Sequence, residues 1–105
     1  MDTMEAIQRV VAEVQAARQQ VANLKSQVQE LENTVIAVKE QPDDMAIMRQ
    51  FGGVMIEVQH RDQLVEDLEH TVQLLNTSLE RIMERETQLI EKYEELKSAM
   101  NEEKE

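Results

Sequence analysis

Residues 47–58 read IMRQFGGVMIEV, two short apolar-rich segments on either side of Gly52 and Gly53. Two such segments joined by two glycines are typical of a β-hairpin, because glycine readily adopts the positive φ angles that tight hairpin turns require. A two-residue loop sets the cross-strand pairs, which are Phe51 with Val54, Arg49 with Ile56, and Ile47 with Val58. The sequence therefore predicts a β-hairpin over residues 46–58, with both glycines at positive φ.

Both flanking segments carry apolar residues at alternating spacings of three and four, the pattern of coiled-coil helices. The first set of these seam positions consists of Ile7, Val10, Val14, Ala17, Val21, Leu24, Val28, Leu31, Val35 and Val38. The second consists of Val65, Leu68, Val72, Leu75, Leu79, Ile82, Glu86, Leu89, Tyr93, Leu96 and Met100. Helices are predicted over 3–40 and 62–100, with a frayed acidic tail over 101–105.

The two seams fit an antiparallel pair, which a short connection favours. In this register the numbers of facing residues have a constant sum of 103, as for Val21 with Ile82. Glu86 falls opposite Ala17, and we expect its carboxylate to lean outward to water. The predicted fold is mainly α, a single domain over 1–105 in which a long antiparallel two-helix coiled coil has a β-hairpin at the bend.

The predicted hairpin has two bare edges, and a two-stranded hairpin alone is marginally stable in water. Strands from other subunits would satisfy the unpaired backbone groups, so we expect several hairpins to assemble into a sheet or β-barrel platform. The predicted oligomerisation residues are Ile47, Phe51, Gly52, Gly53, Val54, Ile56 and Val58.

Composition argues against several classes of function. The chain has 105 residues, with 22 acidic against 11 basic side chains, and a surface of this charge repels nucleic acid and anionic membranes. No apolar run is long enough for a membrane span or a signal peptide. Cysteine is absent and His60 lies ten residues from His70, so neither a metal nor another cofactor is expected. Nothing in the sequence predicts an enzyme.

The segment 51–57 between two heptad helices resembles the hairpin of beta-class prefoldin subunits, and the resemblance covers nearly the whole chain. Its Gly-Gly-Val stretch is similar to that of the eukaryotic prefoldin subunit 2. The resemblance implies a cytoplasmic hexamer of two alpha-class and four beta-class subunits on a double β-barrel platform. It also implies an ATP-independent chaperone that captures unfolded polypeptide at coiled-coil tips. Clients such as actin and tubulin would pass to a group II chaperonin.

Four apolar residues occupy a helical position beside the seam that is normally polar: Met4, Val11, Met83 and Ile90. In the antiparallel register Val11 faces Ile90 near the free ends of the helices. We hypothesise that a strip at this tip binds unfolded clients, since methionine adapts to many shapes. The predicted strip consists of Met4, Ile7, Val11, Ile90 and Met100. The alternative is that these residues only widen the coiled-coil core.

Two further alternatives stay open at this point. The acidic distal residues either dock on basic patches of a chaperonin or form a solvated face that keeps the assembly soluble. These residues are Glu91, Glu94, Glu95, Glu102, Glu103 and Glu105. The alternative function for the whole chain is a structural coiled-coil scaffold or tether that uses the hairpin only for oligomerisation.

Overall fold

The computed structural model describes residues 2–104, and the side chains of 2–102. The element order is α1 (Thr3–Glu40), β1 (Met48–Phe51), β2 (Val54–Glu57) and α2 (Arg61–Lys104). This order confirms the predicted mainly α fold with an antiparallel hairpin between two long helices. Asp2 caps the start of α1, where its Oδ1 accepts a hydrogen bond from the Met4 amide at 3.2 Å.

Helix α2 differs from its prediction at both ends. It begins at Arg61 and continues to Lys104, whereas the prediction placed it over 62–100 with fraying beyond. Residues 101–104 contain neither glycine nor proline, and glutamate and lysine are good helix formers, so no local signal ends the helix at Met100. Glu105, the last residue of the predicted tail, lies outside the described residues.

The hairpin has the predicted register. Phe51 pairs with Val54 and Arg49 with Ile56, and the Val58 amide donates to the Ile47 carbonyl oxygen at 2.8 Å. The prediction for the turn was wrong in one respect, because only Gly52 has a positive φ, of 58°. Positive φ at the first central residue alone is the pattern of a type II′ turn, which needs glycine there and not at the second position.

The chain forms two compact units, and the first, which we call the helix-pair unit, contains residues 2–25 and 77–104. Its core consists of Val10, Val14, Ala17 and Leu89, against which Ile82, Ile90, Tyr93 and Leu96 pack. All predicted seam residues in this unit are buried or half-buried. The heptad pattern therefore identified the buried face of both helical segments.

Glu86, the one charged seam residue, does not simply lean out to water as expected. Its Oε1 accepts a hydrogen bond from Arg18 Nε at 3.0 Å, and its side chain is 21 % exposed. Arg18 directly follows the small seam residue Ala17, and its long side chain brings a positive guanidinium group to the Glu86 carboxylate. A second ion pair, Arg85 with Glu13 at 3.4 Å, also joins the two helical segments of this unit.

The second compact unit, the hairpin unit, contains residues 26–76. Its helical segments bury Val28, Val35 and Val38, and its other predicted seam residues are half-buried. Lys39 Nζ of α1 lies 2.9 Å from Glu69 Oε1 of α2. Over the described part of the chain, neither helix has a stretch apolar enough to cross a lipid bilayer.

Candidate functional site

All eight strand residues of the hairpin are exposed to solvent. Alternation along the strands places Arg49, Phe51, Val54 and Ile56 on one face of the ribbon. Phe51 is 52 % exposed and Val54 is 58 % exposed, although both are large apolar residues. Single exposed apolar side chains are ordinary, but a contiguous apolar face of this kind marks an interaction site.

The opposite face of the hairpin is also uncovered. It carries Met48 and Met55 with the polar Gln50 and Glu57. Within the described residues the sheet has two strands only, so the outer edge of each strand lacks a partner strand. Both outer edges therefore offer unpaired backbone groups to which a further strand could add.

The apolar face of the hairpin also lines a groove beside the start of α2. The groove has a volume of about 250 Å³, and its apolar lining includes Phe51, Ile56 and Leu64. Arg49 lines it as well, with its guanidinium carbon 5.3 Å from the centroid of the Phe51 ring. This cation–π contact holds the arginine against the aromatic ring, so the charged group does not break up the apolar face.

The helix-pair unit contains a second groove, of about 340 Å³, between its two helical segments. Val11 and Ile90 both line it, which places them together as the antiparallel register predicted. Val14 and Tyr93 contribute further apolar surface. The groove lies along the side of the helix pair.

The remaining residues of the predicted tip strip do not line this groove. Met4 is exposed, while Ile7 and Met100 are half-buried at seam positions. Ile90 itself is half-buried and packs on the core around Leu89, so it also serves the coiled coil, as the alternative interpretation held. The structure thus joins two of the five predicted residues in one groove, and client binding by the strip stays a prediction.

Sequence reasoning missed the polar rim of the groove. Gln15, Arg18 and Glu94 line it, and Arg18 is held in place by its bond to Glu86. Tyr93 was identified only as a seam residue, although it also lines the groove, and Lys97 Nζ lies 6.0 Å from the centroid of its ring. The sequence did contain a signal for Arg18. It lies seven residues after Val11 and therefore has the same heptad position, on the same side of α1.

The acidic distal residues that the structure describes lie exposed on α2: Glu91, Glu94, Glu95 and Glu102. The side chains of Glu103 and Glu105 lie outside the description. Lys92 and Lys97 are exposed between them, so the face is mixed in sign. Docking on a chaperonin and a solvated face are both compatible with this arrangement. Among the described residues, no three histidine, aspartate or glutamate side chains are grouped as metal ligands.

Comparisons with known proteins agree with this geometry. The chain is 27 % identical over 73 residues to prefoldin subunit beta of Thermoplasma acidophilum, an alignment that covers 70 % of this chain and 59 % of that protein. The crystal structure of the prefoldin beta subunit from Thermococcus strain KS-1 superposes with a TM-score of 0.85 at 19 % identity. That superposition covers 95 % of this chain and 87 % of the other.

The prefoldin beta2 subunit from the same Thermococcus strain gives a TM-score of 0.76 at 19 % identity, covering 90 % of this chain and 99 % of that one. At these identities the two structures support the fold. The family is shown by the sequence profile described as "Prefoldin subunit", which matches residues 2–105. This chain therefore belongs to the prefoldin subunit family.

Proposed function

We propose that this chain is a subunit of an ATP-independent chaperone, in which the hairpin joins subunits and the helix-pair unit holds unfolded polypeptide. The observation that carries the proposal is the exposure of all eight strand residues, Phe51 and Val54 among them. Family membership supports a chaperone role in general.

The hairpin would pair edge to edge with the hairpins of other prefoldin subunits. Phe51, Val54 and Ile56 are each about half exposed, so covering the rest of their surface in such a joint stabilises it by roughly 1–2 kcal/mol for each side chain. Pairing both outer edges with neighbours produces a closed β-barrel platform without free edges. The partners we propose are alpha-class and other beta-class subunits in a hexamer, located in the cytoplasm.

The groove lined by Val11 and Ile90 would hold an apolar side chain of an unfolded client. One such groove, open to solvent and lined by a few apolar side chains, would bind an unfolded segment weakly, because ordering a flexible chain costs much of the gain from contact. Several subunits on one platform raise the effective concentration, which can add roughly 10²–10⁴ in avidity. Weak individual contacts then permit transfer of clients such as actin or tubulin to a group II chaperonin without ATP, because no single contact must be broken at high cost.

A structural scaffold is the second candidate, and one observation favours it. Ile90 packs on the helix-pair core, so part of the proposed client surface also has a role in coiled-coil stability. A scaffold would form the same joints through the hairpin but would not retain an unfolded chain. The two functions therefore differ in one measurable property, the suppression of client aggregation.

The test mixes the chain with an alpha-class prefoldin subunit, measures the mass of the assembly, and follows aggregation of denatured actin. We expect assembly and suppression with the unmodified chain, and weaker suppression with Val11→Ser. Ile36→Ser is the matched control, because Ile36 is an exposed apolar residue of α1 outside the groove. Equal suppression by both variants would contradict client binding at the groove, and no suppression by any chain would favour the scaffold.

A further inference from the structure

Arg61, the first residue of α2, directs its guanidinium group back to the end of α1. Its Nη1 donates to the carbonyl oxygen of Gln41, and its Nη2 donates to the carbonyl oxygen of Pro42 at 3.1 Å. Nη1 also lies 3.4 Å from Asp43 Oδ1. The side chain is 25 % exposed, which is low for an arginine on a chain with so little core. One side chain therefore holds two backbone carbonyls and one carboxylate.

The position of this charge is unfavourable for the helix that carries it. The N-terminus of a helix has a partial positive charge, so a cation in the first turn of α2 opposes the helix dipole. The same charge lies beside the C-terminus of α1, where cations are favourable and free carbonyl groups need donors. Arg61 thus lies at an unfavourable position for the α2 dipole and supplies donors to the carbonyls of Gln41 and Pro42, which directly follow α1. Such a break of a local rule indicates a role for the residue elsewhere in the fold.

The carbonyls that Arg61 holds begin a path of hydrogen bonds to the hairpin. The Pro42 carbonyl also accepts the Met45 amide at 3.0 Å, and Gln41 Nε2 donates to the Ala46 carbonyl at 3.4 Å. Ala46 precedes Ile47, whose carbonyl accepts the Val58 amide in the first rung of the hairpin ladder. The longer of the two connections to the hairpin, residues 41–47, is therefore tied to α2 through one guanidinium.

We propose that Arg61 is a positioning residue that fixes the direction in which the hairpin leaves the helices, and so presents its strands for pairing. The effect on subunit assembly rests on the proposed function, whereas the effect on the hairpin does not. Arginine is required because its planar fork donates from two nitrogens at fixed geometry. Lysine at this position would keep the charge and lose the fork.

The first test uses the chain alone and measures amide exchange by NMR in Arg61→Lys and Arg61→Met. We expect exchange at Met45 and Val58 to become about tenfold faster in both variants, as loss of charged hydrogen bonds to the linker would produce. Lys39→Met is the matched control, since it removes another cation near the end of α1 that forms an exposed ion pair with Glu69. It should leave both amides unchanged.

Exchange also separates positioning from simple stabilisation of α1. If Arg61 served only as a cap, the Gln41 amide, which donates to Ala37, would exchange faster while Val58 stayed protected. That result, or unchanged exchange at Met45 and Val58 in the Arg61→Lys variant, would overturn the proposal. The lysine variant keeps the test valid if the methionine variant does not fold.

The second test measures the mass of the assembly with an alpha-class prefoldin subunit. We expect Arg61→Lys to require about tenfold more protein for half-assembly, and Phe51→Ser to prevent assembly. Normal assembly of Arg61→Lys alongside failure of Phe51→Ser would overturn the role of Arg61 and leave the proposed function standing. Normal assembly of Phe51→Ser would instead contradict the hairpin joint, while exchange at Val58 would still decide the role of Arg61.

Discussion

The hairpin and the helix-pair unit differ in the solvent exposure of their apolar residues. In the helix-pair unit Val10, Val14 and Leu89 are buried within the chain itself, whereas Phe51, Val54 and Ile56 of the hairpin remain exposed. The first group stabilises the folded subunit, and the exposed surface of the second is available for contacts with another molecule. Stability of the subunit and stability of the assembly should therefore respond to different substitutions.

The largest expected effect is on assembly. Replacing Phe51 and Val54 together by serine removes about 2–4 kcal/mol from each joint, because about half of each side chain is left for a partner to cover, and the loss recurs at every joint of the assembly. We expect the melting temperature of the isolated chain to change little, since neither residue packs on its core. Sedimentation with an alpha-class subunit, together with thermal unfolding by circular dichroism, measures both properties. If the double variant assembled normally but melted at a lower temperature than the unmodified chain, the hairpin residues would stabilise the subunit and not the assembly.

The second effect concerns the folded subunit. Leu89→Ala leaves a cavity in the helix-pair core and should destabilise the chain by about 2–5 kcal/mol. Leu74→Ala is the control, because Leu74 lies exposed on the same helix and its loss should cost about 0.5 kcal/mol or less. Urea unfolding of both variants gives the difference. Equal free energies of unfolding would show that the packing around Leu89 contributes little.

A third prediction sharpens the description of the hairpin turn. Gly52→Ala places a side chain at a φ of 58° and should cost about 1–2 kcal/mol of hairpin stability. Gly53→Ala should be neutral within about 0.5 kcal/mol, because its φ is not positive and no described atom lies within 4 Å of the added Cβ. NMR exchange at Val58 compares the two variants, and equal exchange would contradict a type II′ turn.

The smallest effect is expected at Glu86. Glu86→Leu restores an apolar seam residue opposite Ala17 and should stabilise the helix pair by about 1 kcal/mol, since a partly covered ion pair contributes less than good apolar packing. Arg18→Gln is the comparison, because it leaves the carboxylate without its cation and should lower the melting temperature slightly. A destabilised Glu86→Leu variant would show that the ion pair is the better solution at this position.

Much of the fold could be predicted because its signals are local or periodic. The spacing of seam residues such as Val14 and Leu89 identifies the buried face without knowledge of the partner. The two glycines set the hairpin register, since a two-residue loop fixes which residues pair. The end of α2 was harder to place, because no residue after Met100 breaks a helix and length alone does not specify a terminus.

The candidate site was less accessible to prediction. The pairing of Val11 with Ile90 could be predicted because both occupy the same flanking heptad position. The contributions of Tyr93 and of the rim residue Arg18 to the groove were not predicted. Those contacts depend on which rotamer each side chain adopts between two helices. A repeat in the sequence specifies a face of a helix, and not the shape of the groove that the face forms.

Periodicity and turn chemistry thus settle the elements of this chain, their order and their register, because each depends on residues close in sequence or on a fixed repeat. Tertiary structure alone reveals that Arg18 compensates Glu86 and that Arg61 donates hydrogen bonds to the carbonyls of Gln41 and Pro42, just after the end of α1. Both depend on where a long side chain lies once distant segments meet. No local rule specifies that position, because the partner groups come from another part of the chain.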